Sequence, residues 1–185
     1  MLIINNWWEK RNETRGKVQA KFNQSSLFQA TTIDKIILNS GVGQAINDKK
    51  FLESTIKALQ QITGQKPKIT KAKDSIITFK TREGMEIGCM VTLRGKKVYE
   101  FLFQLINIAL PRVGNFRGLS TKSFDHHGNY NLGVRDLNIF PTVAYDLTFR
   151  NQGCQVTIVF KSRSVEENSY YLSSLGFPFQ PKEKR

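Results

Sequence analysis

From Gly64 to Val98 the chain carries nine basic residues, Lys66, Lys68, Lys71, Lys73, Lys80, Arg82, Arg94, Lys96 and Lys97, against three acidic ones, Asp74, Glu83 and Glu86. Cations spaced along a segment, with small polar residues between them, suit the neutralisation of successive phosphates on a polyanion backbone. Phe79 and Met85 lie among them and offer apolar surface to a base or a groove. The competing reading is a solvated edge whose lysines prevent strand pairing; binding is the favoured one. The whole chain leans the same way, with 28 Lys+Arg against 15 Asp+Glu in 185 residues and a formal net charge of +13. Such a surface suits nucleic acid, an anionic membrane or an acidic protein.

Other chemistries find fewer residues. Gly41-Val-Gly43 lies between a β-prone run and a helical pattern, as in a dinucleotide site, but the third glycine and the downstream acidic strand end are missing. A tight turn is the favoured reading. No phosphate loop of the G-x-x-x-x-G-K-[ST] kind and no G-x-S-x-G elbow occurs. His126 and His127 are adjacent, in a Gly-rich segment without a nearby Cys cluster, and read as surface or RNA-contacting residues rather than metal ligands. Cys89 and Cys154 stand alone, which fits reduced thiols in a cytosol-like compartment. No residue is assigned a catalytic, metal-binding or cofactor-binding role.

The elements that must position the cations follow from periodicity. Hydrophobic content of 39% argues against disorder, and no apolar run approaches the ~18 residues of a membrane span. Residues 7–23 suggest a helix anchored by Trp7, Val18 and Phe22. Residues 33–39 suggest a β-branched strand. Leu52, Ile56 and Leu59 predict a helix over 49–63, capped by Asp48 and closed by Gly64. Ser75–Phe79 and the alternating Ile87–Arg94 predict a hairpin with a long arm, turning at 82–84. Val98 to Ala109 keeps a helical period up to Pro111.

Residues 112–142, with four glycines among aromatic and basic residues, read as a long functional loop. Strands are expected over 143–149 and from Cys154 to Phe160. Ser164-Val-Glu-Glu167 reads as a capping box opening a helix that Gly176 and Pro178 close. The order α-β-α-β-β-α-β-β-α predicts an α+β domain: a mainly antiparallel five-stranded sheet, helices on one face, and an open face carrying Thr92, Arg94, Thr157 and Lys161.

Several runs carry a resemblance: Ile62-Thr-Gly-Gln-Lys-Pro67, Phe79-Lys-Thr-Arg-Glu-Gly-Met85, Val91-Thr-Leu-Arg-Gly95, Ala109-Leu-Pro-Arg112, Asn115-Phe-Arg-Gly-Leu119, Lys122-Ser-Phe-Asp125, Gly128-Asn-Tyr130, Ile139-Phe-Pro141 and the ending Leu175-Gly-Phe-Pro-Phe179. In order, from about Ile33 to Phe179, they resemble the bacterial-type large-subunit ribosomal protein five family, which binds 5S rRNA in the central protuberance. The resemblance implies a five-stranded α+β fold with a concave RNA-facing surface. It implies a single rRNA-binding domain over 33–179, after an N-terminal helical and basic extension (1–32) and before a basic tail (180–185). It implies docking on 5S rRNA through Asn39, Gln65 and Thr92, with Lys66, Arg94 and Lys122 beside phosphates. It also implies contact of the 71–88 arm with the peptidyl-site tRNA through Lys71, Lys73, Lys80 and Arg82. Large-subunit rRNA, neighbouring central-protuberance proteins and a small-subunit head protein are the further partners implied, with no cofactor, no membrane and no catalysis.

Departures from the family's pattern are Asp74 in place of a basic residue, Glu86 in place of a proline, His126-His127 in place of a Gly-Arg pair, and Gly114 in place of an arginine. A free RNA chaperone on the same domain is the alternative function. A nucleotide-binding enzyme is disfavoured. The leaning towards Ile, Asn, Lys and Phe, together with an N-terminus lacking a recognisable presequence, suggests a ribosome in an organelle, plastid or mitochondrion; a bacterial cytoplasm fits as well.

Overall fold

The computed structural model describes residues 2–46, 48–143 and 152–180. Its main elements are α1 (Leu2–Lys21), β1 (Ile33–Gly41), α2 (Lys50–Thr63), β2 (Lys68–Lys71), β3 (Glu86–Arg94), α3 (Lys96–Gln104), β4 (Tyr130–Val134), β5 (Cys154–Phe160) and α4 (Val165–Leu175). The strands form one antiparallel sheet in the order β2-β3-β1-β5-β4, so the fold is α+β as expected.

Two strands lie elsewhere than the sequence suggests. The hairpin's first strand is β2, not Ser75–Phe79; it pairs with β3 from Lys68↔Met90 to Lys71↔Glu86, with an irregularity between Thr70 and Lys71. Ile77–Phe79 forms a 3₁₀ turn instead. The side chains that made this run look β-prone have no core to face: Ile76, Ile77 and Phe79 are 46%, 95% and 67% exposed. Strand propensity is chiefly a fit to a half-buried pleated surface, and without one it is overridden. The second difference is β4, which lies inside the segment read as a loop. Its buried positions, Tyr130 and Val134, share one face, while Asn131 and Gly133 alternate against them. The glycines and aromatics around it disguise a short strand. The strand expected over 143–149 lies outside the described residues, Val143 excepted.

Helix ends follow local chemistry. The Lys50 N–H donates to Asp48 Oδ1 at 2.9 Å, and Gly64, at φ 62°, closes α2 with its N–H on Gln60 O. The capping box at α4 is half formed. Ser164 Oγ accepts from the Glu167 N–H, but the Glu167 carboxylate accepts from Gln24 Nε2 and Ser162 Oγ, both at 3.1 Å. The helix expected to run to Pro111 changes pitch after Gln104, through a π turn over Leu105–Ala109 and a 3₁₀ turn over Leu110–Arg112. A proline ring clashes with the carbonyl four residues back, and rewinding the preceding turn relieves the clash.

The chain divides into two compact units. One comprises residues 1–36, 94–132 and 157–185. In it Trp7 meets Phe103 edge-on at 5.6 Å, and the Tyr99 and Tyr171 hydroxyls are 3.0 Å apart. Its buried polar centre is Asn168, which accepts from Thr31 Oγ1 (2.6 Å) and donates to the carbonyls of Gly128 and Ser162 (2.9 Å each). The other comprises residues 37–93 and 133–156. In it α2 turns Leu52, Thr55, Ala58, Leu59 and Ile62 inward, and β3 buries Cys89, Val91 and Leu93 on one face. Both cysteines are free and buried. Burial pushes the Cys89 thiol up to about 11; burial, then the neighbouring Cys89, pushes Cys154 up to about 12.

Candidate nucleic-acid interface

Strand alternation builds the base of the candidate site. On β1, Leu38 and Ser40 are buried and Asn39 between them is exposed. On β3, Val91 and Leu93 are buried, Thr92 is half-buried and Arg94 is exposed. Asn39 and Thr92 therefore stand on the less buried faces of strands that are neighbours in the sheet. Two contacts fix how closely these strands run. The Val42 N–H donates to Ile87 O at 2.8 Å, and a Cβ at Gly88 would lie 2.7 Å from Ser40 O and 2.8 Å from Thr70 Oγ1. Only glycine leaves room for β1, β2 and β3 to approach this closely.

Gln65 and Lys66 reach the same region from the end of α2. Thr63 Oγ1 donates to Leu59 O at 2.7 Å and clamps the Gln65 backbone at 3.3 Å. Gly64 reverses the chain and Pro67 is buried, so Gln65 (half-buried) and Lys66 (exposed) sit on a fixed turn. Because Lys68 pairs with Met90, the chain entering β2 runs alongside Val91 and Thr92. Asn39 and Thr92 thus stand on outward positions of adjacent strands, and Gln65 and Lys66 on the turn that leads into β2 alongside Thr92. The structure adds Lys68 and Thr70, which share the outward face of β2. The sequence reading missed these two because it placed the strand at 75–79; the Lys68-Ile-Thr70 alternation after Pro67 was the available signal.

The arm is a self-contained unit beyond β2 and β3. Ala72 exchanges bonds with Met85 and Gly84 (2.8 and 3.0 Å), Ile76 pairs with Thr81, and Lys80 adopts φ 52° at the tip. The Glu83 N–H donates to Ser75 Oγ at 2.9 Å. Lys71, Lys73, Lys80 and Arg82 are all exposed. Phe79 is available at the tip as expected, whereas Met85 is turned into the arm, its Sδ accepting from the Arg82 N–H. Beneath the arm an open cavity of about 690 Å³ is lined by Gly41, Gly43, Ile46, Ile76, Phe79 and Ile87, among others.

Gly41-Val-Gly43 forms no phosphate cradle. Val42 is buried, neither glycine has positive φ, and the sheet is antiparallel, unlike a dinucleotide fold. Lys122 belongs to the other unit, where Ser120 Oγ caps its 3₁₀ turn and the side chain is exposed. His126 and His127 are exposed in a turn that Asp125 ties, its Oδ1 accepting from the His127 and Asn129 N–H groups. Burial raises the Asp125 carboxyl, but these bonds outweigh it and hold the group below the usual carboxylate range. Among the described residues no group of His, Cys, Asp or Glu could hold a metal ion, and no helix is long and apolar enough to cross a membrane.

A polar strand face and a cationic hairpin lie on this α+β scaffold, the class of surface that suits a polyanion. Comparison with known proteins specifies the kind. Residues 86–179 match the model of the C-terminus of the ribosomal L5 family, and residues 26–82 match that of ribosomal protein L5. The chain is 47% identical to large ribosomal subunit protein uL5 of Macrococcus caseolyticus, over 91% of this chain and 94% of that protein. It is 51% identical to the uL5 of Limosilactobacillus reuteri, over 91% and 93%. The chain belongs to the ribosomal L5 family; it is a ribosomal protein and not an enzyme.

Proposed function

We propose that the chain is a structural constituent of the large ribosomal subunit that docks on 5S rRNA through Asn39, Gln65 and Thr92. The observation that supports this reading is that Asn39 and Thr92 stand on outward positions of adjacent, closely packed strands, with Gln65 in the turn, bonded to Thr63, that leads into the next strand. Amide and hydroxyl groups on a fixed sheet suit the wide, shallow RNA minor groove, where 2′-hydroxyls are displayed and shape is read. Lys66, Arg94 and Lys122 act as phosphate neighbours. The arm, with Lys71, Lys73, Lys80 and Arg82 exposed, makes sequence-independent contact with the peptidyl-site tRNA. Outer loops serve contacts with large-subunit rRNA, central-protuberance neighbours and a bridge to the small-subunit head.

The composition supports a ribosome in an organelle, plastid or mitochondrion, and the bacterial relatives support a bacterial cytoplasm. Sedimentation of tagged chain through a sucrose gradient tests the principal reading. Co-migration with 5S rRNA and the large subunit is expected; confinement to light fractions without 5S rRNA would leave a free RNA chaperone instead.

A further inference from the structure

Phe28 is 89% exposed, yet it stands on a backbone fixed from several sides. Asn23, at φ 50°, ends α1, with the Gln24 N–H on Gln19 O at 3.1 Å. The Gln29 N–H donates to Ser26 O at 3.1 Å, the Phe28 N–H to Ser26 Oγ at 3.3 Å, and Arg15 Nη2 to Leu27 O at 2.7 Å. The Arg15 guanidinium also backs the ring itself, 5.7 Å from its centroid. Arg15 is 8% exposed and its Nε has no partner. Its described contacts, a carbonyl and a ring, include no anion. A buried cation left so is costly and suits an incoming negative group. In sequence, residues 10–32 hold Lys10, Arg11, Arg15, Lys17 and Lys21 against Glu13 alone; of these, Arg15 is the one the structure sets against Phe28, while Lys10 and Lys21 lie over the Trp7 and Tyr170 rings.

We propose that Phe28, backed by Arg15, is a stacking platform for one unpaired base of rRNA, with the positive charge of Arg15 beneath the ring attracting the strand's backbone. Every base has a π face, and a preset ring backed by a cation binds single strands without sequence preference. A protein partner fits less well. Among the described residues of this unit only Phe28 and Val165 are large exposed hydrophobics, so the contiguous apolar core of a protein interface is absent there. The inference rests on membership of a ribosomal protein family and not on the 5S site proposed above.

A 12-nucleotide oligoadenylate at low salt is the probe. Phe28→Trp introduces an exposed indole, read as a difference against the background of Trp7 and Trp8. The oligonucleotide is expected to quench it. Phe28→Ala should bind at least about 5-fold more weakly, and Phe28→Tyr should retain affinity. Circular dichroism of each variant checks folding, which an exposed site leaves intact. Equal affinity of Phe28→Ala and the parent chain, or an unquenched indole in the Phe28→Trp variant, overturns the proposal. So does a dimer of the parent chain that Phe28→Ala abolishes, since the ring then serves a protein contact. Titration with 5S rRNA separates the two readings. A parent chain that binds oligoadenylate through Phe28 but ignores 5S rRNA defeats the 5S docking and leaves the platform standing.

Discussion

The base of the hairpin and its arm belong to one stretch of chain but are stabilised in different ways. At the base, Thr92 and Asn39 project from strands whose alternate residues are buried, and Gly88 admits its neighbours to within less than van der Waals distance of a Cβ. In the arm, Asp74 to Lys80 is exposed at every position, and order comes from backbone pairs within the arm itself. A surface anchored in a core can hold hydrogen-bonding groups to fractions of an ångström, as shape-reading requires. A surface held by its own turns can present charge, which tolerates displacement. On the proposed function, selecting a partner is work for the base, and attracting one is work for the arm.

The most damaging change is one that removes the distinction. In Gly88→Ala the new methyl meets the Ser40 backbone oxygen and Thr70 Oγ1 at under 3 Å, so β3 must shift and both regions fail together. A loss of about 1–3 kcal/mol in urea unfolding is expected, with 5S rRNA and tRNA binding both impaired. Unchanged stability would mean that the three strands are not held as tightly as the contacts imply.

Thr92→Ala separates the regions from the base side. If Thr92 contacts 5S rRNA as proposed, the substitution strips a hydroxyl whose RNA partner then stays buried and unsatisfied, and a loss of about 1–3 kcal/mol of 5S affinity is expected. Filter binding at matched salt checks this. Full retention of affinity would remove Thr92 from the site, and a parallel loss of tRNA binding would show that base and arm are not separate.

How much of this was legible beforehand differs between the same two regions. Ile87–Arg94 alternates strictly, and a core face imposes that alternation, so β3 and the position of Thr92 were readable. The arm was not. Ile76, Ile77 and Phe79 mimic a strand by residue type, but only the structure shows that nothing covers them. β4 escaped for the opposite reason: Tyr130 and Val134 are buried as a strand would have them, yet the flanking glycines and polar residues conceal the period. Phe28 carried no signal at all, because a lone aromatic in a polar segment is ambiguous until its exposure and the Arg15 beneath it are seen.

From the arm side, Lys71, Lys73 and Lys80 replaced together by Ala should leave 5S affinity unchanged and weaken tRNA binding. Exposed phosphate contacts release counterions, so the slope of log affinity against log salt should fall by about 2–3 for the three cations. Loss of 5S binding in this variant would reassign the arm to the base.

The smallest expected effect distinguishes the regions by pH. Cys89 lies on the buried face of β3, its thiol pushed up to about 11, and Cys154 is pushed to about 12. In the unfolded chain both ionise near the ordinary 9.0. Between that value and the folded ones the native state holds more protons, so stability is intact below pH about 9 and falls as pH rises through 11–12. Tyr99, Tyr130 and Tyr171 are raised by burial as well and act in the same direction. The thiol share is therefore read as a difference: the urea midpoint of Cys89→Ala/Cys154→Ala should decline less steeply above pH 9 than that of the parent chain. Trypsin cleavage after Lys80 and Arg82, in the already exposed arm, should change little over the first part of that rise, while amide protection in β3 drops. Equal slopes for the two chains would mean that the thiols ionise without disturbing the sheet, and the rigidity assigned to the base would have to come from Gly88 and Thr63 alone.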